Sequence, residues 1–173
     1  MPVFTARHLV PAAVLAAVCL AASAAAQTVP APTRAVELSG PRFGVTVLSD
    51  GVIERLRGKD IDIASTISQF GWQFERQLYH SSSSVSVVTE WVGLIGGLDQ
   101  GYAIPSLSWM VGLRTRKGAE FGLGPNITPG GTGLVLAAGH TFRSSIMNVP
   151  VNLAVIPSRN GVRVTVLTGF SLR

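Results

Sequence analysis

The chain is poor in charged residues. Asp, Glu, Lys and Arg make up 13% of its 173 residues, against about 25% in ordinary soluble domains. A water-facing surface is hard to build from so few charges. The net charge of +5 is modest and the basic residues are scattered along the sequence. This distribution predicts no nucleic-acid partner, because such a partner calls for a basic patch or stripe.

Residues that commonly carry chemistry are also scarce. Cys19 is the single cysteine, and it lies in a segment that we expect to be removed, which leaves the mature chain without thiol chemistry. No metal-ligand spacing, nucleotide-binding loop or nucleophile elbow is present. We therefore expect no catalytic residues, no metal, no cofactor and no enzymatic activity.

The N-terminal region has the composition of a signal peptide. Arg7 precedes an apolar run over 9–22, and small alanines follow up to Ala26. The run is shorter than the roughly 20 residues that a spanning helix needs, so residues 1–26 are interpreted as a cleaved signal rather than a retained anchor. Residues 27–41 contain three prolines and no alternation. This composition predicts a flexible leader before one domain over 42–173.

Alternation of apolar and polar residues is the dominant pattern in that domain. In Gly161–Arg173 the residues Val162, Val164 and Val166 begin a largely apolar row, and the intervening residues are mostly polar or small. Successive side chains of a strand point to opposite faces, so this stretch predicts a strand with two unlike faces. The same rule predicts strands at 42–48, 68–79, 85–98, 104–115, 119–127, 133–143, 148–156 and 161–173. The predicted fold is all-β, an antiparallel up-and-down barrel of eight strands.

Residues 49–67 break the alternation. Ser49 or Asp50 can begin a short helix, with Val52, Ile53 and Leu56 on one side and Gly58 at its end. We interpret this first long loop as a segment folded against the barrel rim. The alternative is a lid or a docking element for an unknown envelope partner, formed by residues 50–66, because long loops often carry function.

The second row of residues indicates which face meets water. It consists mainly of Gly, Ser, Thr, Ala, Asn and Gln, whereas a soluble barrel would place many charges there. Small and polar residues suit the narrow interior of an eight-stranded barrel. The pattern thus predicts a transmembrane β-barrel with the apolar row outside and Trp72, Trp91 and Trp109 as interface aromatics. The alternative is a soluble secreted barrel that holds an apolar ligand within the Val, Leu and Phe row.

Several stretches carry a resemblance to known proteins. Over Pro41–Arg173 the chain resembles the small eight-stranded outer-membrane barrel proteins of Gram-negative bacteria. FGWQFE, PSLSWMVGLRT, EFGLGPN and VPVNLAVIPS also resemble a group of uncharacterised envelope proteins. The resemblance implies a place in the bacterial outer membrane, contact with outer-membrane lipid, and insertion by the barrel-assembly machinery. TGFSLR is similar to the C-terminal signal for that machinery, although such signals usually end on an aromatic residue and this chain ends on Arg173.

The resemblance also raises an enzymatic alternative. Some eight-stranded outer-membrane barrels modify lipid A with a histidine, a serine and a carboxylate. His140, followed closely by Ser144 and Ser145, is the candidate for such a site. No recognised catalytic motif surrounds His140, so an interfacial histidine is the favoured interpretation.

The predicted inward row collects charges of both signs. Isolated charges are costly in a narrow interior, so these residues should form pairs. We interpret them as a polar network that closes the lumen; the alternative is a narrow pore or ligand site lined by the same groups. The expected function is a structural or envelope-interaction role. The predicted network consists of Arg42, Glu75, Glu90, Arg114, Glu120, Arg143 and Arg163.

Overall fold

The computed structural model describes residues 38–80 and 85–172. The predicted signal peptide and the leader up to residue 37 lie outside these described residues. The leader was expected to continue to residue 41, but the first strand begins at Gly40, and Leu38 before it is fully buried. The barrel domain therefore begins a few residues earlier than the prolines suggested.

The described chain is built from strands and one short α-helix. The helix, α1, spans Asp50–Arg57. A single 3-10 turn spans Leu98–Gln100. The strands are β1 Gly40–Leu48, β2 Thr66–His80, β3 Val85–Gly96, β4 Ile104–Thr115, β5 Ala119–Thr128, β6 Gly131–Arg143, β7 Met147–Ser158, β8 Gly161–Gly169 and β9 Ser171–Leu172.

These strands close into one antiparallel barrel. Each strand from β1 to β8 pairs with its sequence neighbours, and β1 pairs with β8 from Arg42↔Gly169 to Leu48↔Arg163. The two-residue β9 follows the interruption at Phe170 and pairs with β7, so it continues the eighth strand of the barrel. The predicted all-β, eight-stranded up-and-down barrel with a short helix in its first long loop is confirmed.

The barrel has two distinct ends. Gly40 and Leu172 lie at one end, together with the β4–β5 and β6–β7 turns; we call this the termini end. At the other, the helix end, α1 lies with the β3–β4, β5–β6 and β7–β8 turns. No helix among residues 38–80 and 85–172 is long and apolar enough to cross a membrane.

The apolar row of alternating residues faces outward and the polar row faces inward, as the composition indicated. Large apolar side chains of β1 to β8 point outward and remain about half exposed, as in Phe43, Trp72 and Leu136. The buried row points inward and includes Thr46, Gln73 and Thr165. The interior also holds an apolar cluster that the small-residue pattern did not reveal. It consists of Val92, Leu94, Met110, Val135 and Ile156.

Glycine permits close backbone approach inside this narrow barrel. A Cβ at Gly44 would lie 1.9 Å from the Val166 carbonyl oxygen, and one at Gly124 would lie 1.9 Å from the Trp109 carbonyl oxygen. Both distances are far below any real contact. Glycine on these strands is therefore a packing requirement of the strongly curved sheet.

Candidate functional site in the barrel interior

The charged centre of the interior is Arg114, near the termini end. Its Nη1 donates to Glu75 Oε1 at 2.6 Å, its Nη2 also bonds Glu75, and its Nε donates to Glu120 Oε1 at 2.8 Å. Thr141 donates its hydroxyl to the same Glu120 oxygen at 2.5 Å. Arg114 and Glu75 are almost completely buried. A guanidinium presents five donors in a planar fork, so one side chain can serve two carboxylates.

Glu90 is the third carboxylate of this cluster and is bound less tightly. Its Oε1 lies 4.0 Å from Arg114 Nη2, beyond hydrogen-bonding distance. Glu90 is also directly opposite Glu75 in the β2–β3 ladder. Like charges in directly opposed strand positions repel each other. The cluster therefore has one weakly held carboxylate that faces the interior.

Arg42 lies at the same end of the barrel but forms no ion pair with a carboxylate of residues 38–80 or 85–172. Its Nε donates to Gln73 Oε1 at 2.9 Å, and its Nη2 donates to the Leu38 carbonyl oxygen at 2.5 Å. The backbone N–H of Leu38 in turn reaches Glu75 Oε1 at 3.4 Å. Residues just before β1 thus fold into the termini end and join Arg42 to the Glu75 carboxylate.

Two predicted members of the network lie elsewhere. Arg163 is buried near the helix end, where its Nη1 donates to the Thr128 hydroxyl at 2.6 Å. Its Nε has no hydrogen-bond partner among the described residues. Arg143 is exposed, and its Nη1 donates to the Arg116 carbonyl oxygen at 3.1 Å. Placing Arg143 in the lumen was therefore wrong, because β6 runs past the rim and carries an inward-phase residue out to solvent.

The middle of the barrel is lined by neutral polar groups and by the apolar cluster. Thr46 and Thr165 share a hydrogen bond of 2.7 Å, and Thr46 donates to Gln69 Oε1. Asn126 Nδ2 donates to the Ser106 and Ser108 hydroxyls at 2.9 Å each, while Asn126 Oδ1 is buried and has no partner within residues 38–80 and 85–172. A cavity of about 80 Å³ remains between these groups. Its volume accommodates a few water molecules.

Helix α1 covers the opposite mouth. Its buried residues, Val52 and Leu56, pack against Leu48, Ile67 and Ile104 at the ends of β1, β2 and β4. Ser49 anchors the start of the helix: its backbone N–H donates to the Val162 carbonyl oxygen at 3.0 Å. Its hydroxyl oxygen accepts from the Val162 N–H at 2.9 Å. The predicted position of the loop against the barrel rim is thus observed.

The three tryptophans face outward but lie away from the strand ends. Trp91 is opposite Trp109 in the β3–β4 ladder, with ring centroids 6.2 Å apart. Both are near the midpoints of their strands, and Trp72 is likewise near the middle of β2. Interface girdles lie at the two edges of a barrel's apolar band. The structure therefore places these side chains on the predicted face but not at the strand ends.

His140 is outward and exposed. Its ring packs edge-on against Phe142, with centroids 4.9 Å apart. In the part of the chain that the structure describes, no hydrogen bond joins His140 to a serine or a carboxylate. Across the same residues, no group of three or more His, Cys, Asp or Glu side chains could hold a metal ion.

Comparisons with known proteins leave the family open. No protein-family model matches the chain, and no curated protein matches it. Among solved structures, the chain is similar to that of Ail, the attachment invasion locus protein of Yersinia pestis, in complex with the heparin analogue sucrose octasulfate. The similarity covers 79% of this chain and 97% of that one, with 12% identity and a TM-score of 0.29. The barrel assignment rests on this chain's own strand pairing.

Sequence reasoning missed several residues that build the interior. Leu38 was assigned to the leader, although a lone leucine directly before the first alternating residues was a usable signal. Gln73 and Thr141 have no predicted role in the polar network, yet the structure makes them partners of Arg42 and Glu120. Such pairings depend on strand register, which the alternation alone does not give.

Proposed function

We propose that this protein is an integral outer-membrane β-barrel with a non-conducting interior and a structural or envelope-interaction role. The observation that carries the proposal is the ring of exposed apolar side chains around the barrel. Phe74 is 62% exposed, Phe121 60% and Leu123 57%. The apolar patches of soluble monomers rarely exceed a few hundred Å². A continuous ring on eight strands calls for lipid as its surroundings.

The same observation weighs against the soluble alternative. A soluble ligand-holding barrel needs the Val, Leu and Phe row inside, whereas Val45, Leu107 and Val166 of that row face outward. The buried row carries the charges and amides, together with the interior apolar cluster around Val92 and Met110. If this barrel were soluble, its outer apolar row would face water. A ligand in its interior would lie close to Arg114 and its carboxylates.

Obstruction at both ends supports a closed lumen. Leu38, Arg42 and the Arg114 cluster fill the termini end, and α1 covers the helix end. Between them the remaining cavity is about 80 Å³. Charged groups in such a narrow interior are stable when paired, so the cluster is better suited to a plug than to an ion path.

An envelope partner at residues 50–66 would meet a polar surface. The apolar side of α1 is already packed onto the barrel, and the outer side presents Glu54, Arg55 and Arg57. Arg57 pairs with Asp62 on this surface at 3.2 Å. A partner would therefore recognise charges rather than an apolar helix face.

Insertion by the barrel-assembly machinery is part of the proposal. The last described strand presents Phe170 and Leu172 outward, with 39% and 75% of their surfaces exposed. TGFSLR is similar to the C-terminal signal for that machinery, although such signals usually end on an aromatic residue and this sequence ends on Arg173.

Fractionation tests the membrane location, and a bilayer recording tests the closed lumen. We expect the protein in the outer-membrane fraction, with a shift between unheated and heated samples on a detergent gel. Recovery in a soluble fraction without detergent would overturn the membrane location. In a planar bilayer we expect no current from the purified protein. Glu120→Ala should lower the melting temperature without producing a current. A steady current from the wild-type protein would instead favour the narrow pore.

A further inference from the structure

A groove at the helix end is lined by basic side chains from two separate elements. Arg55 and Lys59 come from α1 and the residues just after it, and Arg159 comes from the β7–β8 turn. The β5–β6 turn forms the wall between them. The groove measures about 630 Å³, within the usual range of ligand sites, about 300–1,000 Å³.

Among the described residues, all the ionisable side chains that line this groove are basic. Its ionisable lining residues within 38–80 and 85–172 are Arg55, Lys59 and Arg159, and none of them is among the ion pairs of those ranges. Cations at the end of a helix compensate its dipole, which accounts for Arg55 and Lys59 by themselves. Arg159 lies on a different element, so the dipole does not explain the convergence of all three.

The walls of the groove are fixed to one another. Asn160 Nδ2 donates to the Gly130 carbonyl oxygen at 3.3 Å and so joins the β7–β8 turn to the β5–β6 turn. Helix α1 approaches the same residue closely, because a Cβ at Gly51 would lie 2.3 Å from the Asn160 carbonyl oxygen. The three basic side chains therefore project from a preorganised frame, which lowers the entropic cost of binding.

The groove adjoins the edge of the exposed apolar ring. Thr132, which lines the groove, is paired directly with Ile127, and Ile127 is 60% exposed on the outer wall. Leu134 on β6 and Val162 on β8 continue that wall below the two turns, with 47% and 41% of their surfaces exposed. A ligand that spans this boundary meets apolar side chains on one side and cations on the other.

We propose that this groove binds a phosphate-bearing anion, with the phosphate held by Arg55, Lys59 and Arg159. A lipid headgroup fits the position best, because its acyl chains would lie against Ile127 and Leu134 while its phosphate reaches the cations. This lipid form rests on the proposed membrane location; binding of a soluble phosphate does not.

The test uses the full mature chain in neutral detergent micelles and titration calorimetry. The probes are phosphatidic acid mixed into the micelles, phosphatidylcholine as the neutral lipid, and inorganic pyrophosphate as the soluble phosphate. We expect phosphatidic acid to bind and phosphatidylcholine not to bind. Because each basic side chain near an anionic lipid adds to the electrostatic attraction, replacing all three by Gln should weaken binding at least about tenfold.

A matched variant separates the groove from overall charge. Arg57→Gln, Arg116→Gln and Lys117→Gln together remove the same number of positive charges from residues that do not line the groove. This variant should bind as the wild type does.

Each outcome decides between the two sources of phosphate or overturns the site. Binding of phosphatidic acid assigns a lipid headgroup, and binding of pyrophosphate alone assigns a soluble phosphate. The proposal is overturned if neither probe binds, or if the two triple variants lose affinity equally. Membrane location is measured separately by fractionation, so a failure of the proposed function and a failure of this site give different results.

Discussion

Arg114 is the residue on which the interior depends most. Its guanidinium is buried and contacts Glu75 and Glu120, with Glu90 just beyond hydrogen-bonding distance. Without Arg114, three carboxylates would share a narrow space. Arg42 would then be the nearby positive charge among the described residues. The arrangement therefore couples β2, β3, β4 and β5 through a single side chain.

Arg114→Gln should be strongly destabilising. Removing one partner of a buried ion pair leaves uncompensated charge and typically costs about 3–5 kcal/mol. We expect a loss of this size in the free energy of unfolding, measured by urea titration in phospholipid vesicles. Arg57→Gln is the matched control, because the Arg57–Asp62 pair is exposed and exposed pairs contribute about 0–1 kcal/mol. Equal losses for the two variants would contradict the assigned role of Arg114.

Glu90→Gln should behave in the opposite way. Glu90 lies opposite Glu75 and has the longest contact with Arg114. Neutralising it removes the repulsion between two like charges in directly opposed strand positions and retains a polar group of similar shape. The same urea titration should show unchanged or higher stability. A loss comparable to that of Arg114→Gln would show that Glu90 is a full member of the ion-pair network.

At the scale of residues, the sequence predicted the side of the sheet on which each side chain lies. It did not predict which side chains pair with one another. Alternation placed Glu75, Glu90, Arg114 and Glu120 on one face, and the structure brings those four together. It could not separate Arg143 from Arg114, because both follow the inward phase of their strands and only the position of the rim distinguishes them. Arg163 is inward as well, but half a barrel away from the carboxylates.

At the scale of elements, α1 is stable because it is docked. The helix has eight residues, and isolated helices of this length are unstable in water. Its sequence predicted both its bounds and its buried side, since Val52 and Leu56 lie four residues apart. Ser49 precedes the helix as expected, but its hydroxyl serves Val162 rather than the first turn of the helix.

Leu56→Ala should loosen the helix without opening the barrel. Truncating a buried leucine costs about 2–5 kcal/mol, which here falls mainly on the docking of α1. Trypsin should then cleave faster after Arg55 and Arg57, while the barrel keeps its heat-dependent gel shift. Glu54→Ala is the control on the exposed side of the same helix. Equal cleavage of the two variants would mean that α1 does not depend on Leu56 for its position.

The β3–β4 turn contains an acid-sensitive contact. Hydrogen bonds from the Ser68 hydroxyl and then from the Gln100 amide lower the pKa of Asp99. A carboxyl group with a lowered pKa stabilises the fold above its ordinary pKa, and this contribution is lost as the pH falls through the lowered value.

Asp99→Asn should therefore lower the urea unfolding midpoint near neutral pH but have little effect on it in acid. Near neutral pH the variant should have the lower unfolding midpoint, and the gap should close as the pH drops below about 3.9, the ordinary pKa of aspartate. Urea midpoints measured across this range provide the check. A gap that stays constant with pH would mean that the Ser68–Asp99 contact does not titrate as described.

At the scale of the whole molecule, the outward tryptophans report on the surroundings. In lipid vesicles, tryptophan emission should be quenched by brominated acyl chains, because Trp72, Trp91 and Trp109 are all between 42% and 49% exposed on the outer wall. Acrylamide in the aqueous phase should quench far less. Single-tryptophan variants with bromine at different acyl depths would then locate each ring. Strong acrylamide quenching with little effect of bromine would contradict a lipid-facing wall.

The fold was more predictable than the site because its signal repeats. Eight strands each alternate with period two, so errors of one or two residues at the strand ends leave the count unchanged. The interior apolar cluster around Val92 and Met110 was less visible, because inward valines and methionines look like breaks in a polar row. The groove at the helix end is formed by three segments that are distant in sequence, so no local sequence pattern predicts it.

Closure of the barrel by its first and last strands has a consequence for the order of events during biogenesis. The Thr46–Thr165 hydrogen bond joins residues 119 positions apart, so the ring cannot be completed until β8 has been synthesised. Before that moment β1 and β7 both present open edges, which invite wrong pairing between chains. A chain cut after Asn160 should therefore give no heat-resistant species, however well its remaining hairpins form. The time between synthesis and closure of the ring is the interval in which this protein must be kept from pairing with its own copies.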